Sequence, residues 1–330
     1  MNKPIAITCG DPGGIGPELT VEAWKALKNE LNFVLFSSYD YMKTSFLKIP
    51  MIRVSNSVEA TNVMKDGIPI IDIPFSEQPE PGKINPKLAL DIIRSINLAT
   101  DSCMRGDSAA LCTNPINKFS LTSGANFIHT GHTDYLKFLT KSQYGVMMLS
   151  TPSLRVVPVT VHVSLKEAIN TLTETLIIDT VNVSHKALVE LFNIKNPKIF
   201  LSGLNPHSGE NGLFGQEEIN TIKPALKVLK KNGLDIHGPF PADTMFHKKT
   251  RDTYDLAICM YHDQALIPIK TISFDEAVNV TLGLPIIRTS PDHGTAAEIA
   301  GKGQANPTSF INAIRMAKSL SENKTFYANR

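Results

Sequence analysis

The amino-acid sequence predicts an α/β protein. Three observations predict it. Short β-branched or apolar runs recur along the chain, helix-length stretches separate them, and no repeat or low-complexity segment interrupts the alternation. Such alternation builds a largely parallel sheet with helices on its faces. A chain of 330 residues with 42% apolar content can bury a large core.

The elements follow in order. "PIAITC" (4–9) is an apolar run of strand length, and Pro17 after it suits the first turn of a helix over 17–29. "NFVLFSS" (32–38) gives the next strand, and the proline-rich "FSEQPEPGKINP" (75–86) reads as a surface loop before a helix at 86–104. "SAALCTN" (108–114) is a strand, 134–141 a helix, and "VMMLS" (146–150) and "RVVPVTVHV" (155–163) are strands. A helix at 173–193, a strand at "KIFLSGL" (198–204), a helix at 215–232 and a strand at "LAICMY" (256–261) come next. "VNVTLGLPIIRTS" (278–290) is one long strand or two broken at Pro285, and helices at 295–301 and 307–321 complete the pattern. No linker cleanly divides two consecutive domains, so an interleaved arrangement stays open.

A formal charge of +2 gives no reason to expect nucleic acid or an anionic membrane as partner. Cys9, Cys103, Cys112 and Cys259 are scattered without a C-x-x-C pair, so neither a disulfide framework nor a cysteine zinc site is indicated. No apolar run is long enough to span a bilayer, and the chain starts with a strand rather than a leader pattern. The expected location is the cytoplasm.

The stretch "ITCGDPGGIGPEL" has the layout of a nucleotide-binding loop, but the residues do not match one. In a G-x-G-x-x-G register Gly14 and Gly16 take the first two positions and Leu19 the third, and no lysine is present for a P-loop. A tight strand–helix turn without ligand and a backbone cradle at a helix N-terminus both remain open.

Three strand candidates end in a histidine: His162, His207 and His262, the last followed by Asp263. Ligands in open α/β sheets bind beyond the carboxyl ends of strands. Three imidazoles arriving there could converge on zinc, cobalt or nickel and leave coordination positions open. Asp263 or Asp243 could orient a ring or act as a base. With nine histidines in the chain, hydrogen-bonded structural roles compete with this reading. His185, His237 and His247 read as surface. "TGHTDYL" places His132 and Thr133 before a helix, and "TNPINK" places Asn114 and Lys118 after a strand. Each is an anion site or a simple cap. Lys270, Asn279 and Arg288 are candidate phosphate or carboxylate contacts.

Taken together, "GDPGGIGPE", "TNPINK", "GHTDYL", "VHVSLKEA", "LNPHSGENG", "PADTMF", "YHDQALIPIK" and "SPDHGTAAEIAGKGQANP" resemble the 4-hydroxythreonine-4-phosphate dehydrogenase family of pyridoxal phosphate biosynthesis. The motifs run in order from near residue 5 to near residue 310; Gly13 departs from the usual alanine. The last motif is also similar to the cofactor loop of isocitrate and isopropylmalate dehydrogenases. The resemblance implies their fold, two α/β/α domains with a cleft between them, here expected as 1–140 plus 285–330 and 141–284. It implies a homodimer whose metal site (zinc, magnesium or cobalt) is shared between subunits through His162, His207 and His262. It implies substrate contacts at His132, Thr133, Lys270, Asn279 and Arg288; near the reacting hydroxyl, Asp243 or Lys270 is the expected proton acceptor. NAD or NADP is expected at Asp292, His293, Gly294, Thr295, Ala296 and Asn306. The implied reaction is oxidation of the C3 hydroxyl of 4-phosphooxy-L-threonine to a β-keto acid, which decarboxylates to 3-amino-2-oxopropyl phosphate. The opening glycine stretch is then expected as a close-packed turn lining the cleft, with Asp11 facing the ligands. An acyltransferase like the phosphate acetyltransferases, a metal-dependent phosphoester hydrolase and a catalytically silent binding protein are the rival readings.

Overall fold

A computed structural model describes residues 3–328. They form two compact units: residues up to 145 with 284–322, and 146–283 with the residues from 323 onward. The first stretch contains β1 (Ile5–Thr8), α1 (Gly16–Leu27), β2 (Phe33–Ser37), α2 (Tyr39–Ser45), β3 (Met51–Arg53), α3 (Ala60–Val63), β4 (Ile68–Asp72), α4 (Ala89–Met104), β5 (Ala110–Cys112), α5 (Lys118–Ala125) and α6 (His132–Thr140). The second unit runs β6 (Val146–Thr151), β7 (Leu154–Pro158), α7 (Leu165–Thr171), α8 (Glu174–Glu190), β8 (Ile199–Ser202), α9 (Lys223–Lys231), β9 (Ile236–Phe240), α10 (Lys248–Arg251), β10 (Leu256–Cys259), α11 (His262–Ser273) and β11 (Val278–Leu282). β12 (Arg288–Pro291) then joins the first unit, and α12 (Thr308–Ala328) follows.

In the first unit the strands lie in the order β3-β4-β2-β1-β5-β12, each pair parallel. A parallel sheet needs cover on both faces. Successive residues of β1 point to opposite faces, and Ile5, Ala6 and Ile7 are all fully buried. Ala6, Val34, Phe36 and Leu111 pack with Ile92, Ile96 and Ala99 of α4 and with Leu136 of α6. Thr289 of β12 donates its hydroxyl to the Ala313 carbonyl at 2.8 Å, which fastens α12 to the sheet.

In the second unit the order is β11-β6-β7-β10-β8-β9. β11 with β6 and β6 with β7 are antiparallel, while β7, β10, β8 and β9 pair in parallel. Ala265, Leu266 and Ile269 of α11 pack on Leu149, Val156, Ala257 and Cys259. Because β7, β10 and β8 are parallel neighbours, the chain leaves all three at the same sheet edge. His162, His262 and His207 follow those three exits.

Several elements differ from expectation. The strand expected over 155–163 stops at Pro158. Val159 and Thr160 still donate to the Cys259 and Met260 carbonyls (2.8 and 3.2 Å), but Val163 then turns back onto the Val161 carbonyl (2.9 Å), which takes His162 off the sheet. The run 278–290 is two strands, with Gly283 at φ 87° between them. In place of a helix at 295–301 there is a single 3-10 turn, Ala297–Ile299, because Ala296 is left-handed at φ 43°. α6 starts at His132, and a π-turn (Glu218–Ile222) precedes α9. His247 is exposed, whereas His185 and His237 are half-buried. Among the described residues no helix is long and apolar enough to cross a membrane.

Candidate active site

The glycine-rich turn directs its backbone inward. Asp11 N–H donates to the Pro115 carbonyl (2.8 Å), Gly14 to Asp11 (3.0 Å), and Ile15 to Thr295 (2.9 Å), while the Gly13 carbonyl accepts from Gly82 (2.9 Å). These donors are satisfied within the protein rather than held for a phosphate. A side chain on Gly13 would collide with the Lys83 carbonyl, and a Cβ on Gly14 would lie 2.6 Å from the Thr295 carbonyl oxygen. In this chain glycine at both positions permits the close backbone approach. Glu18 adds a side-chain clamp by accepting the Gly301 N–H. The turn thereby fixes residues 80–83 and 295–301.

Asp11 is buried, at 1% exposure. Its Oδ1 accepts the Gly13 N–H at 3.1 Å, while Oδ2 is buried without a hydrogen-bond partner. Burial pushes this carboxyl up to about 6, against the smaller opposing pull of the Gly13 N–H. Asn114 uses its amide internally, donating to the Thr8 carbonyl and the Thr20 hydroxyl (3.0 Å each). It is therefore committed to the turn rather than available to an anion.

His132 and Thr133 open α6, whose N-cap is Gly131 without a side-chain cap. Asp134 instead accepts from the Thr130 N–H at 3.1 Å. His132 Nε2 is buried without a partner. Burial, and after it the charge of Arg288, hold this imidazole well below its ordinary range, so it is neutral at pH 7. Arg288 is itself only 4% exposed and donates from Nη2 to the Thr113 hydroxyl at 2.6 Å. Burial lowers it to about 10, still a cation at neutral pH. The first unit thus holds a neutral imidazole within electrostatic reach of a buried guanidinium, a combination suited to an anionic ligand. Thr113 was not anticipated; its signal was its place at the end of β5, the neighbour of β12.

In the same unit, the Asp292 N–H donates to the Ser309 hydroxyl (3.1 Å), and His293 has Nδ1 on the Gly294 carbonyl (3.0 Å) with Nε2 buried and unpartnered. Thr295 lends its carbonyl to the glycine turn, Ala296 is left-handed, and Asn306 accepts from the Thr308 N–H and hydroxyl (3.0 and 2.7 Å).

In the second unit the His162 and His262 rings lie 6.0 Å apart, centroid to centroid. Both line a cavity of about 400 Å³, together with Thr160, Tyr261 and Asp263. Asp263 Oδ1 sits 2.6 Å from His262 Nδ1, which fixes the ring and leaves that nitrogen engaged. His207 lies elsewhere in the unit, with its ring 6.0 Å from Phe214. It begins a left-handed run: His207, Ser208, Glu210 and Asn211 have φ of 51°, 53°, 41° and 57°, and Gly209 has 80°. Left-handed backbone costs an L-residue about 1–2 kcal/mol, so tertiary contacts must hold this run. Among the described residues no group of three or more His, Cys, Asp or Glu is gathered as one metal cluster. Asn279 of β11 has a buried Oδ1 without partner, Lys270 of α11 places Nζ over Phe274 (5.6 Å), and Asp243 is exposed in the turn Ala242–Thr244.

Comparison with known proteins places these features in one family. Residues 28–317 match the family model of the pyridoxal phosphate biosynthetic protein PdxA. The 4-hydroxythreonine-4-phosphate dehydrogenase of Roseobacter denitrificans is 45% identical over 318 residues, covering 96% of this chain and 97% of its own. That of a Ruegeria species is 44% identical, covering 97% of each. The crystal structure of 4-hydroxythreonine-4-phosphate dehydrogenase from Klebsiella pneumoniae superposes with a TM-score of 0.87 at 35% identity, covering 97% of this chain and 98% of that one. With most of its length inside the family model and near-complete overlap with these relatives, the chain belongs to the PdxA family.

Proposed function

We propose that the protein oxidises the C3 hydroxyl of 4-phosphooxy-L-threonine with NAD or NADP, assisted by a divalent cation. The β-keto acid formed loses carbon dioxide to give 3-amino-2-oxopropyl phosphate. The names of the relatives support the substrate. The observation that carries the reading is the pair of histidines, 6.0 Å apart, facing one cavity.

The donor set fits a metal. His262 is oriented by Asp263 as metal-binding histidines are, and imidazole favours zinc or cobalt over magnesium, which prefers oxygen. His162 and His262 would supply two ligands from one subunit, and His207 of a second copy the third, in a homodimer. The segment Asp292–Ala296 with Asn306 fits the cofactor, because His293 Nε2 is buried and unpartnered. When bound, the cation polarises the alcohol and the nicotinamide accepts a hydride. The chain's own residues do the rest. Arg288 holds the phosphate, with neutral His132 and Thr133 hydrogen-bonding beside it. Asn279 uses its buried Oδ1 on the substrate, and Asp243 or Lys270 takes the hydroxyl proton. Acyl transfer from coenzyme A on this scaffold would leave the paired histidines without a role.

The test is NADH or NADPH formation, followed by the absorbance of the reduced nicotinamide, with 4-phosphooxy-L-threonine before and after chelation. Activity should vanish on complete demetallation and return with zinc or cobalt. Full activity in demetallated enzyme would refute the metal role, and coenzyme A-dependent turnover without NADH would favour acyl transfer.

A further inference from the structure

The left-handed run that carries His207 is built around one carboxylate. Glu218, at 1% exposure, opens the π-turn Glu218–Ile222. Such turns recur at functional sites. Its Oε1 accepts the N–H groups of Leu204 and Asn205, both at 2.8 Å, and Oε2 accepts Asn205 Nδ2 at 3.0 Å. Glu217 takes a second bond from Asn205 Nδ2 at 2.7 Å. The carboxylate also fills the inside of the turn. A Cβ on Gly209 would stand 2.5 Å from Oε2, and one on Gly203 3.0 Å from Oε1. Among the described residues Glu218 makes no ion pair, so its negative charge is committed to the loop backbone.

Gln264 supplies a second tie. Its Oε1 accepts the Met260 N–H (2.7 Å) and the Ser202 hydroxyl (2.8 Å), and its Nε2 donates to the Gly203 carbonyl (2.8 Å). One side chain, two residues past His262, thus joins the exit of β10 to the exit of β8.

We infer that Glu218 is the positioning residue that sets the direction of His207, with Gln264 holding the adjoining Gly203 carbonyl. This rests on His207 being a metal ligand. Both Glu218 oxygens are bonded within the loop, so it acts by holding Leu204 and Asn205 so that the left-handed run can form after them. Outer partners of metal ligands commonly change metal affinity 10- to 100-fold, and a carboxylate on two backbone N–H groups is a strong holder.

The test uses metal-free, full-length protein titrated with Co²⁺ alone, followed by visible absorption and calorimetry. Glu218→Ala should weaken Co²⁺ binding by about 10- to 100-fold and alter the ligand-field spectrum. Glu218→Gln, which keeps an oxygen for the two N–H groups, should recover most of that loss. Gly209→Ala crowds the same carboxylate and also strains a left-handed position at φ 80°, so it should weaken binding in the same direction; Glu218→Asp, which withdraws the two oxygens by one methylene without that strain, should do so too and decides the matter if Glu218→Ala does not fold. NADH binding should be the same in all variants. Wild-type protein that binds Co²⁺, with folded Glu218→Ala or Glu218→Asp binding it equally well, would overturn the positioning role alone. Wild-type protein that binds no Co²⁺ would overturn it together with the metal reading.

Discussion

Asp11→Asn gives the sharpest test of the electrostatics of the glycine turn. In the folded chain this carboxyl sits at about 6 instead of its ordinary 3.8, chiefly because it is buried with one oxygen unpartnered. At about 1.36 kcal/mol per pH unit, the folded state holds the proton about 3 kcal/mol more tightly than the unfolded state. The sign follows from linkage. Near pH 3 both states are protonated and the contribution is complete; as pH rises past about 4 the unfolded chain releases its proton first. Stability therefore falls through the interval up to about pH 6 and then levels off. Asparagine cannot titrate, so the variant lacks this slope. The assay is urea denaturation of metal-free wild type and variant at steps between about pH 4 and pH 7, comparing midpoints at constant m. The stability difference should move by about 3 kcal/mol in favour of the variant as pH rises. Parallel profiles would show that Asp11 is solvated or paired, and the argument from burial would fail.

Two further outcomes are expected. Arg288→Lys keeps a positive charge but loses the planar fork, so KM for 4-phosphooxy-L-threonine should rise by one to two powers of ten, about 1.4–2.8 kcal/mol, with kcat less affected; an unchanged KM in steady-state kinetics would remove Arg288 from the phosphate site. Gly14→Ala drives a Cβ to 2.6 Å from the Thr295 carbonyl, which should destabilise the protein by about 1–3 kcal/mol and weaken NADH binding measured by fluorescence; wild-type values for both would mean that the segment at Thr295 yields without consequence.

Much of the fold was legible because the signals were local. The apolar runs at β1, β2, β5, β6, β8 and β10 and the Pro17 start of α1 are read from adjacent residues. The losses have physical causes. α11 contains Pro268, which removes a helical N–H and reads as a breaker, yet its apolar face on the β7–β10 surface holds the helix together. β3 has only three residues, and β9 carries a Gly-Pro pair that normally argues against a strand. At the candidate site, the pairing of His162 with His262 follows from strand exits, once β7 and β10 are known to be neighbours. The partners that orient the loops were hidden. Gln264 meets Ser202 across 62 residues, and Glu218 meets Leu204 across 14, through bonds to groups that carry no sequence pattern.

The placement of β12 beside β5 has a consequence for biogenesis. Synthesis runs from the N-terminus, and the ribosome must translate the whole of residues 146–283 before the strand that completes the first sheet is available. During that interval β5 carries an uncapped edge able to recruit a foreign strand. Nascent chains stalled before Arg288 are the species in which chaperone demand and misassembly should concentrate.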